Sequence, residues 1–157
     1  MFDMTTLAEG DLAPAFSLPD QDGSTISLRD FAGRRVVVYF YPADDTPGCT
    51  KEACQFSDLV DEYAALRVEV LGISPDGGNK HQKFRAKFGL EIALLSDAEH
   101  EVMALYGAYG PKMLYGRKTV GVIRSTFLIG PDGKIERAWY NVRADGHAAK
   151  VLQALAT

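Results

Sequence analysis

The chain has two cysteines, five positions apart, in the stretch Thr46-Pro47-Gly48-Cys49-Thr50-Lys51-Glu52-Ala53-Cys54. A thiol attacks oxygen or sulfur only after losing its proton, and a free cysteine titrates near pH 8.5. Thr46 followed by Pro47 fits a helix N-cap with proline at the first helical position. Cys49 then falls in the first turn, where unpaired N–H groups and the helix dipole favour an anion. Asp44 and Asp45 work against that anion if they lie close, so a cation from elsewhere in the chain is needed. Arg124 is the candidate, because it stands at the entry to an apolar strand, a place usually given to an apolar or turn residue. An ordinary edge arginine is the plain alternative.

The spacing of the two thiols carries its own constraint. On an intact helix, residues five apart rise about 7.5 Å and sit about 140° round the axis, leaving their Cα atoms roughly 8 to 9 Å apart. A disulfide needs Cα atoms within about 7 Å. Cys49 and Cys54 can therefore join only if the first turns unwind, and the backbone freedom of Gly48 favours such an opening. The Cys-x-x-Cys spacing of dithiol exchange is missing. The wider spacing suits oxidation of one thiol to a sulfenic acid and its condensation with the second. Two buried cysteines acting as small hydrophobes are the alternative, which fits Cys54 on the apolar stripe better than Cys49 beside glycine.

The elements that must position these residues can be read along the chain. Phe16–Leu18 and Thr25–Leu28 alternate around Pro19-Asp20-Gln21-Asp22-Gly23, an N-terminal hairpin with Asp-Gly turn chemistry. Val36 to Tyr41 is a continuous apolar run, as in a strand covered on both faces, and Pro42 ends it. From Pro47 the apolar residues fall at helical spacing, predicting one helix to about Leu66, with Val68–Ile73 as the next, parallel strand. A helix over Lys80–Phe88, a strand over Ile92–Leu95, and a capping box at Ser96–Glu99 opening a further helix follow. Gly107 to Gly121, with Lys112, Arg117 and Lys118, reads as a solvated basic connector. Ser125–Ile129 and Lys134–Tyr140 flank Gly130-Pro131-Asp132-Gly133 as a hairpin, and Ala148–Ala156 closes the chain as a helix. With no linker or repeat, residues 1–157 are expected to form one α/β domain, a mixed central sheet flanked by helices.

Composition narrows the function classes. At 157 residues, 46% hydrophobic and 24% charged, the chain can bury a sizeable core, and its net charge of −4 argues against nucleic-acid binding. No apolar run reaches the roughly 20 residues needed to span a bilayer. Met1 to Thr6 lacks the basic and apolar regions of a signal peptide, so a cytoplasmic location is expected, where paired cysteines are catalytic or sensing more often than structural. His81, His100 and His147 show no ligand spacing and read as surface or cap residues, and two cysteines alone do not make a zinc site.

Pro42-Ala43-Asp44-Asp45-Thr46-Pro47-Gly48-Cys49 matches the Pro-x-x-x-Thr-x-x-Cys signature of peroxiredoxins. Together with Cys54, it resembles the Q-type subgroup, also called bacterioferritin comigratory protein. The similarity extends through Asp11–Phe31, Leu71–Ser74, Leu94–Asp97 and Ile123–Ile129. The resemblance implies a thioredoxin-like fold with an N-terminal extension and a thiol peroxidase activity on hydrogen peroxide and organic hydroperoxides. It implies Cys49 as the peroxidatic and Cys54 as the resolving cysteine, joined in an intramolecular disulfide that thioredoxin or a related dithiol protein reduces. Thr46 would hydrogen-bond the thiolate and the bound peroxide, Pro42 would shield the pocket, and Arg124 would be the active-site arginine. No metal, haem or flavin is expected, and the family's members occur as monomers or weak homodimers. A peroxide-sensing or chaperone-like protein, with oxidation as its switch, is the reading from another class, and a thioredoxin-type disulfide reductase is a third.

Overall fold

Asp20, Gly23 and their neighbours close the first turn: Asp20 Oδ1 accepts from the N–H groups of Asp22 and Ser24, and Gly23 takes φ 83°, which a side chain would resist. They join β1 (Ser17–Pro19) to β2 (Thr25–Ser27), an antiparallel N-terminal hairpin. The structure is a computed structural model that describes residues 6–114 and 116–155. The apolar run becomes β3 (Arg35–Phe40), followed by α1 (Pro47–Asp58), α2 (Val60–Ala65) and β4 (Val68–Ser74). Next come α3 (Gly78–Phe88), β5 (Ala93–Ser96), α4 (Glu101–Leu105), β6 (Tyr109–Leu114) and β7 (Arg117–Val122). The chain ends with β8 (Ser125–Ile129), β9 (Ile135–Trp139) and α5 (His147–Leu155).

The main sheet has the order β5-β4-β3-β8-β9, with β3 parallel to β4 and antiparallel to β8. Its central strand is buried on both faces. Val36, Val38 and Phe40 enter one core with Phe31, Met103 and Phe127; Val37, Tyr39 and Tyr41 enter the other with Phe56, Tyr63 and Phe84. This is the two-residue period of a pleated strand, hidden in the sequence because both faces are apolar. Helices α1, α2, α3 and α5 cover the second face, and α4 with the N-terminal segment covers the first. Gly72 on β4 is required by close packing, since a Cβ there would lie 2.9 Å from the Tyr39 hydroxyl.

Three expectations are corrected. The single helix to Leu66 is two, parted at Leu59, whose ψ of 8° leaves the helical range while its N–H is shared between Gln55 O and Phe56 O. The capping box at Ser96–Glu99 does not form. His100, at φ 60°, starts α4, and the Asp97 carboxylate instead accepts from the N–H groups of Val102 and Met103 at 3.3 and 2.9 Å. The basic connector is a hairpin of β6 and β7, in which Tyr109 faces Val122 and Pro111 faces Val120. Glycines and lysines interrupt its alternation and conceal the strand pattern. Ala156, the last residue of the predicted C-terminal helix, lies outside the described residues.

Candidate active site

Antiparallel pairing of β8 with β3 sets Ser125 opposite Phe40. The residue before Ser125 therefore emerges level with Tyr41, beside the loop that leads into α1. That residue is Arg124. Its Nη2 donates to Cys49 Sγ at 3.3 Å, across 75 positions of sequence, and its Nη1 donates to Glu52 Oε1 at 2.6 Å. Cys49 is buried in the first turn of α1, as the proline-started helix predicts, with a free thiol. Helix end and guanidinium together place positive potential against the sulfur. Cys54 lies on the same unbroken helix, half-buried and also free. Burial, with Asp58 one turn on, pushes the Cys54 thiol up.

Glu52 is the residue that sequence reasoning undervalued. In sequence it is only an acid near the first turn of the helix, yet its side chain is 0% exposed and its Oε2 has no partner. Its three-residue spacing from Cys49 puts both on one helix face, which is the signal that could have found it. Burial raises Glu52 to about 7, against the pull of Arg124. Arg124 is itself held above its ordinary range: burial opposes this, but Glu52 and Cys49 outweigh it. Tyr39 Oη and Thr50 Oγ1 are also buried without a partner, so three of the orphaned polar atoms among the described residues sit on β3 and α1 around the thiol.

The two aspartates before the helix do not oppose the sulfur as free charges. Asp45, at φ 60°, is paired with Lys87 of α3 at 2.8 Å. Asp44 is fully buried, with His81 Nδ1 2.6 Å from its Oδ2 and Tyr41 Oη donating to its Oδ1 at 2.6 Å. His81 and His147 are thus core residues rather than surface ones. His147 bonds Thr126 Oγ1 at 2.8 Å, and burial lowers it to about 4, with Lys150 and Arg124 adding to the effect.

Thr46 is the N-cap by backbone geometry, but its hydroxyl donates to Ala43 O at 3.0 Å rather than to the helix or to the sulfur. Its lone pairs remain free to accept. Pro42 is half-buried at the bend that ends β3. The structure therefore brings Cys49 and Arg124 into contact, places Thr46 and Pro42 on the adjoining loop, and keeps Cys54 further along the helix. Among the described residues no group of three His, Cys, Asp or Glu side chains is arranged to hold a metal, and no helix is long and apolar enough to cross a membrane. An apolar recess of about 400 Å³ among Leu28, Phe31 and Ile129 lies at the far end of β3 and contains no thiol.

A buried, arginine-contacted thiol at the start of a helix, delivered by the central strand of a mixed sheet, defines a thiol-dependent redox enzyme. The chain belongs to the AhpC/TSA family, whose model matches residues 10–138, and it is a peroxiredoxin of the Bcp, or Q, type. It is 54% identical to Rv2521 of Mycobacterium tuberculosis (strain ATCC 25618 / H37Rv) over 151 residues, 96% of each chain. It is 46% identical to peroxiredoxin Bcp of Escherichia coli (strain K12) over 149 residues, 95% of this chain and 96% of that one. Among solved structures it resembles the Xanthomonas campestris bacterioferritin comigratory protein, studied in trapped intermediate and ligand complexes for its alkyl peroxide reduction. That similarity has a TM-score of 0.86 and 35% identity over 98% of both chains. The expected thioredoxin-like fold and peroxidase activity follow.

Proposed function

We propose that Cys49 is the peroxidatic residue and Cys54 the resolving one in a thioredoxin-recycled cycle that reduces hydrogen peroxide and organic hydroperoxides. The observation that carries this reading is the 3.3 Å contact between Arg124 Nη2 and Cys49 Sγ, with a second free thiol five residues along the same helix. The Cys49 thiolate attacks the terminal oxygen of ROOH, the O–O bond breaks, and the departing RO⁻ takes a proton, giving ROH and a sulfenic acid. Arg124, the helix-end N–H groups and the Thr46 hydroxyl supply prearranged hydrogen-bonding groups for this step, and Pro42 keeps water from the sulfur. The Cys54 thiol then displaces the sulfenic hydroxyl, giving a disulfide and one water. A dithiol protein of the thioredoxin class returns both thiols and leaves as a disulfide. The enzyme works in the reducing cytoplasm as a monomer or weak homodimer.

Mass spectrometry after one equivalent of peroxide tests the cycle. The wild type is expected to lose two hydrogens, Cys54→Ser to gain one oxygen, and Cys49→Ser to remain unchanged and lose peroxide turnover. Continued thioredoxin-linked turnover by Cys49→Ser sinks the assignment. Multiple turnovers with thioredoxin also separate the peroxidase from an oxidation switch, which has no need to cycle.

A further inference from the structure

Residues 47–54, which carry both thiols, lie between two sets of contacts. Upstream, Asp44 Oδ2 is 2.6 Å from His81 Nδ1, and both side chains are 0% exposed. His81 Nε2 is 3.0 Å from Leu95 O, and Tyr41 Oη donates to Asp44 Oδ1. The Asp44 N–H donates to Asp76 Oδ2 at 2.7 Å, and Asp76 is held in turn by Ser74 and by Lys80 of α3. Downstream, Gln55 donates from Nε2 to Asp145 Oδ1 and accepts from the Gly146 N–H, both at 2.8 Å.

The protons of the upstream contact can be counted. Leu95 O only accepts, so His81 Nε2 carries a hydrogen. The Nδ1–Oδ2 contact needs one more proton between its two atoms, whichever of them owns it. The pair is therefore neutral as a unit, and every polar atom of both side chains is bonded. A buried network satisfied in this way resists opening, because any broken bond leaves a desolvated polar group without a partner. The start of α1 is different: its first turn has no side-chain cap, and Cys49 and Thr50 follow a glycine.

We propose that His81 is a positioning residue for the peroxidase reaction. Through Asp44 it holds residues 42–46 in place while residues 47–54 unwind to form the disulfide and rewind after reduction. Pro42 and Thr46 then stay where the returning thiol needs them, and the pocket is rebuilt rather than searched for in each cycle. This inference rests on the Cys49–Cys54 disulfide proposed above.

Hydrogen exchange and stopped-flow kinetics test it together. In the wild type oxidised by one equivalent of peroxide, amides of 47–54 are expected to lose protection while those of 43–46 keep it. In His81→Leu the loss extends to 43–46. There the bimolecular oxidation of Cys49 falls by roughly tenfold or more, while unimolecular disulfide formation is not slowed. Asp44→Asn, which can donate to Nδ1 while accepting from Tyr41 but leaves one buried amide hydrogen unpaired, is expected to show the same split as His81→Leu in smaller measure. A purely structural role would slow both steps by one common factor, and that result overturns the proposal. So does equal exchange of 43–46 and 47–54 in the oxidised wild type. If His81→Leu does not fold, Tyr41→Phe removes one bond to Asp44 and must show the same split between the steps in smaller measure. If no internal disulfide forms, the resolving step is wrong, and the reduced proteins decide: equal exchange at 43–46 in wild type and His81→Leu overturns the latch.

Discussion

Glu52 and Arg124 form a 2.6 Å ion pair inside the fold, with the guanidinium's other terminal nitrogen on Cys49. A guanidinium is planar and rigid, so fixing one nitrogen on Glu52 fixes the direction of the other. Helix spacing puts Glu52 beside Cys49, strand register brings Arg124 to them, and the Glu52 side chain is fully buried beneath a largely buried guanidinium. Glu52 thus aims the cation that its own charge partly offsets.

That arrangement gives a pH dependence with a definite sign. Glu52 titrates at about 7 in the fold against an ordinary 4.5, so the folded protein holds a proton that the unfolded chain loses first. Stability therefore falls as pH rises from 4.5 to 7, on the order of 3 kcal/mol in all. His147 acts in the other direction. It titrates at about 4 against an ordinary 6.5, so the unfolded chain takes up a proton that the fold refuses. Stability is lost as pH falls from 6.5 to 4, again by an order of 3 kcal/mol. Between pH 4.5 and 6.5 the two slopes oppose. Urea unfolding across this window should show Glu52→Gln gaining stability with rising pH relative to wild type, and His147→Gln losing it. A pair of variants with parallel profiles would refute the assignment.

Gly48 permits both close approach and opening. A Cβ at this position would lie 3.3 Å from Arg124 Nη2 and 3.9 Å from the Ala144 side chain, so Gly48→Ala fits with only a small shift of the arginine. Alanine is favoured over glycine in a helix by up to about 1 kcal/mol, which stabilises the wound start of α1. Disulfide formation in a single turnover should slow by roughly 2- to 5-fold. The sulfenic acid then lives longer, and the fraction over-oxidised to sulfinic acid by excess peroxide should rise, read as a gain of two oxygens in the mass spectrum. Unchanged closure would mean that the helix start does not limit the step.

The parts of this site that were legible in the sequence are those set by local chemistry. Thr46, Pro47 and Gly48 announce a helix start, and Cys49 lies in its first turn as that start predicts. Arg124 could be nominated from its place before an apolar strand, but only the pairing of Ser125 with Phe40 shows why it reaches the sulfur. His81 was unreadable because an isolated histidine looks the same on a surface as in a core, and its partner Asp44 stands 37 positions away. The β6–β7 hairpin was hidden for another reason. Its glycines and cations interrupt the alternation that marks a half-buried strand. Thr46 is the instructive middle case, correct as the helix cap in backbone terms while its hydroxyl turns back to Ala43.

In the proposed cycle Cys54 loses a proton before it displaces the sulfenic hydroxyl, and two causes hold that proton on: burial first, then the charge of Asp58. Asp58 is exposed and lies one helical turn beyond Cys54, so removing its charge disturbs no packing. Asp58→Asn should therefore move the pH profile of disulfide formation to lower pH and raise its rate near neutrality, with the burial contribution left in place. The first step, oxidation of Cys49, should keep its rate, because Asp58 is more than two turns from it along α1. Stopped-flow fluorescence of Trp139 or quenched mass spectrometry at several pH values separates the two steps. If the variant shifts the oxidation of Cys49 and leaves closure untouched, Cys54 is not the thiol that resolves.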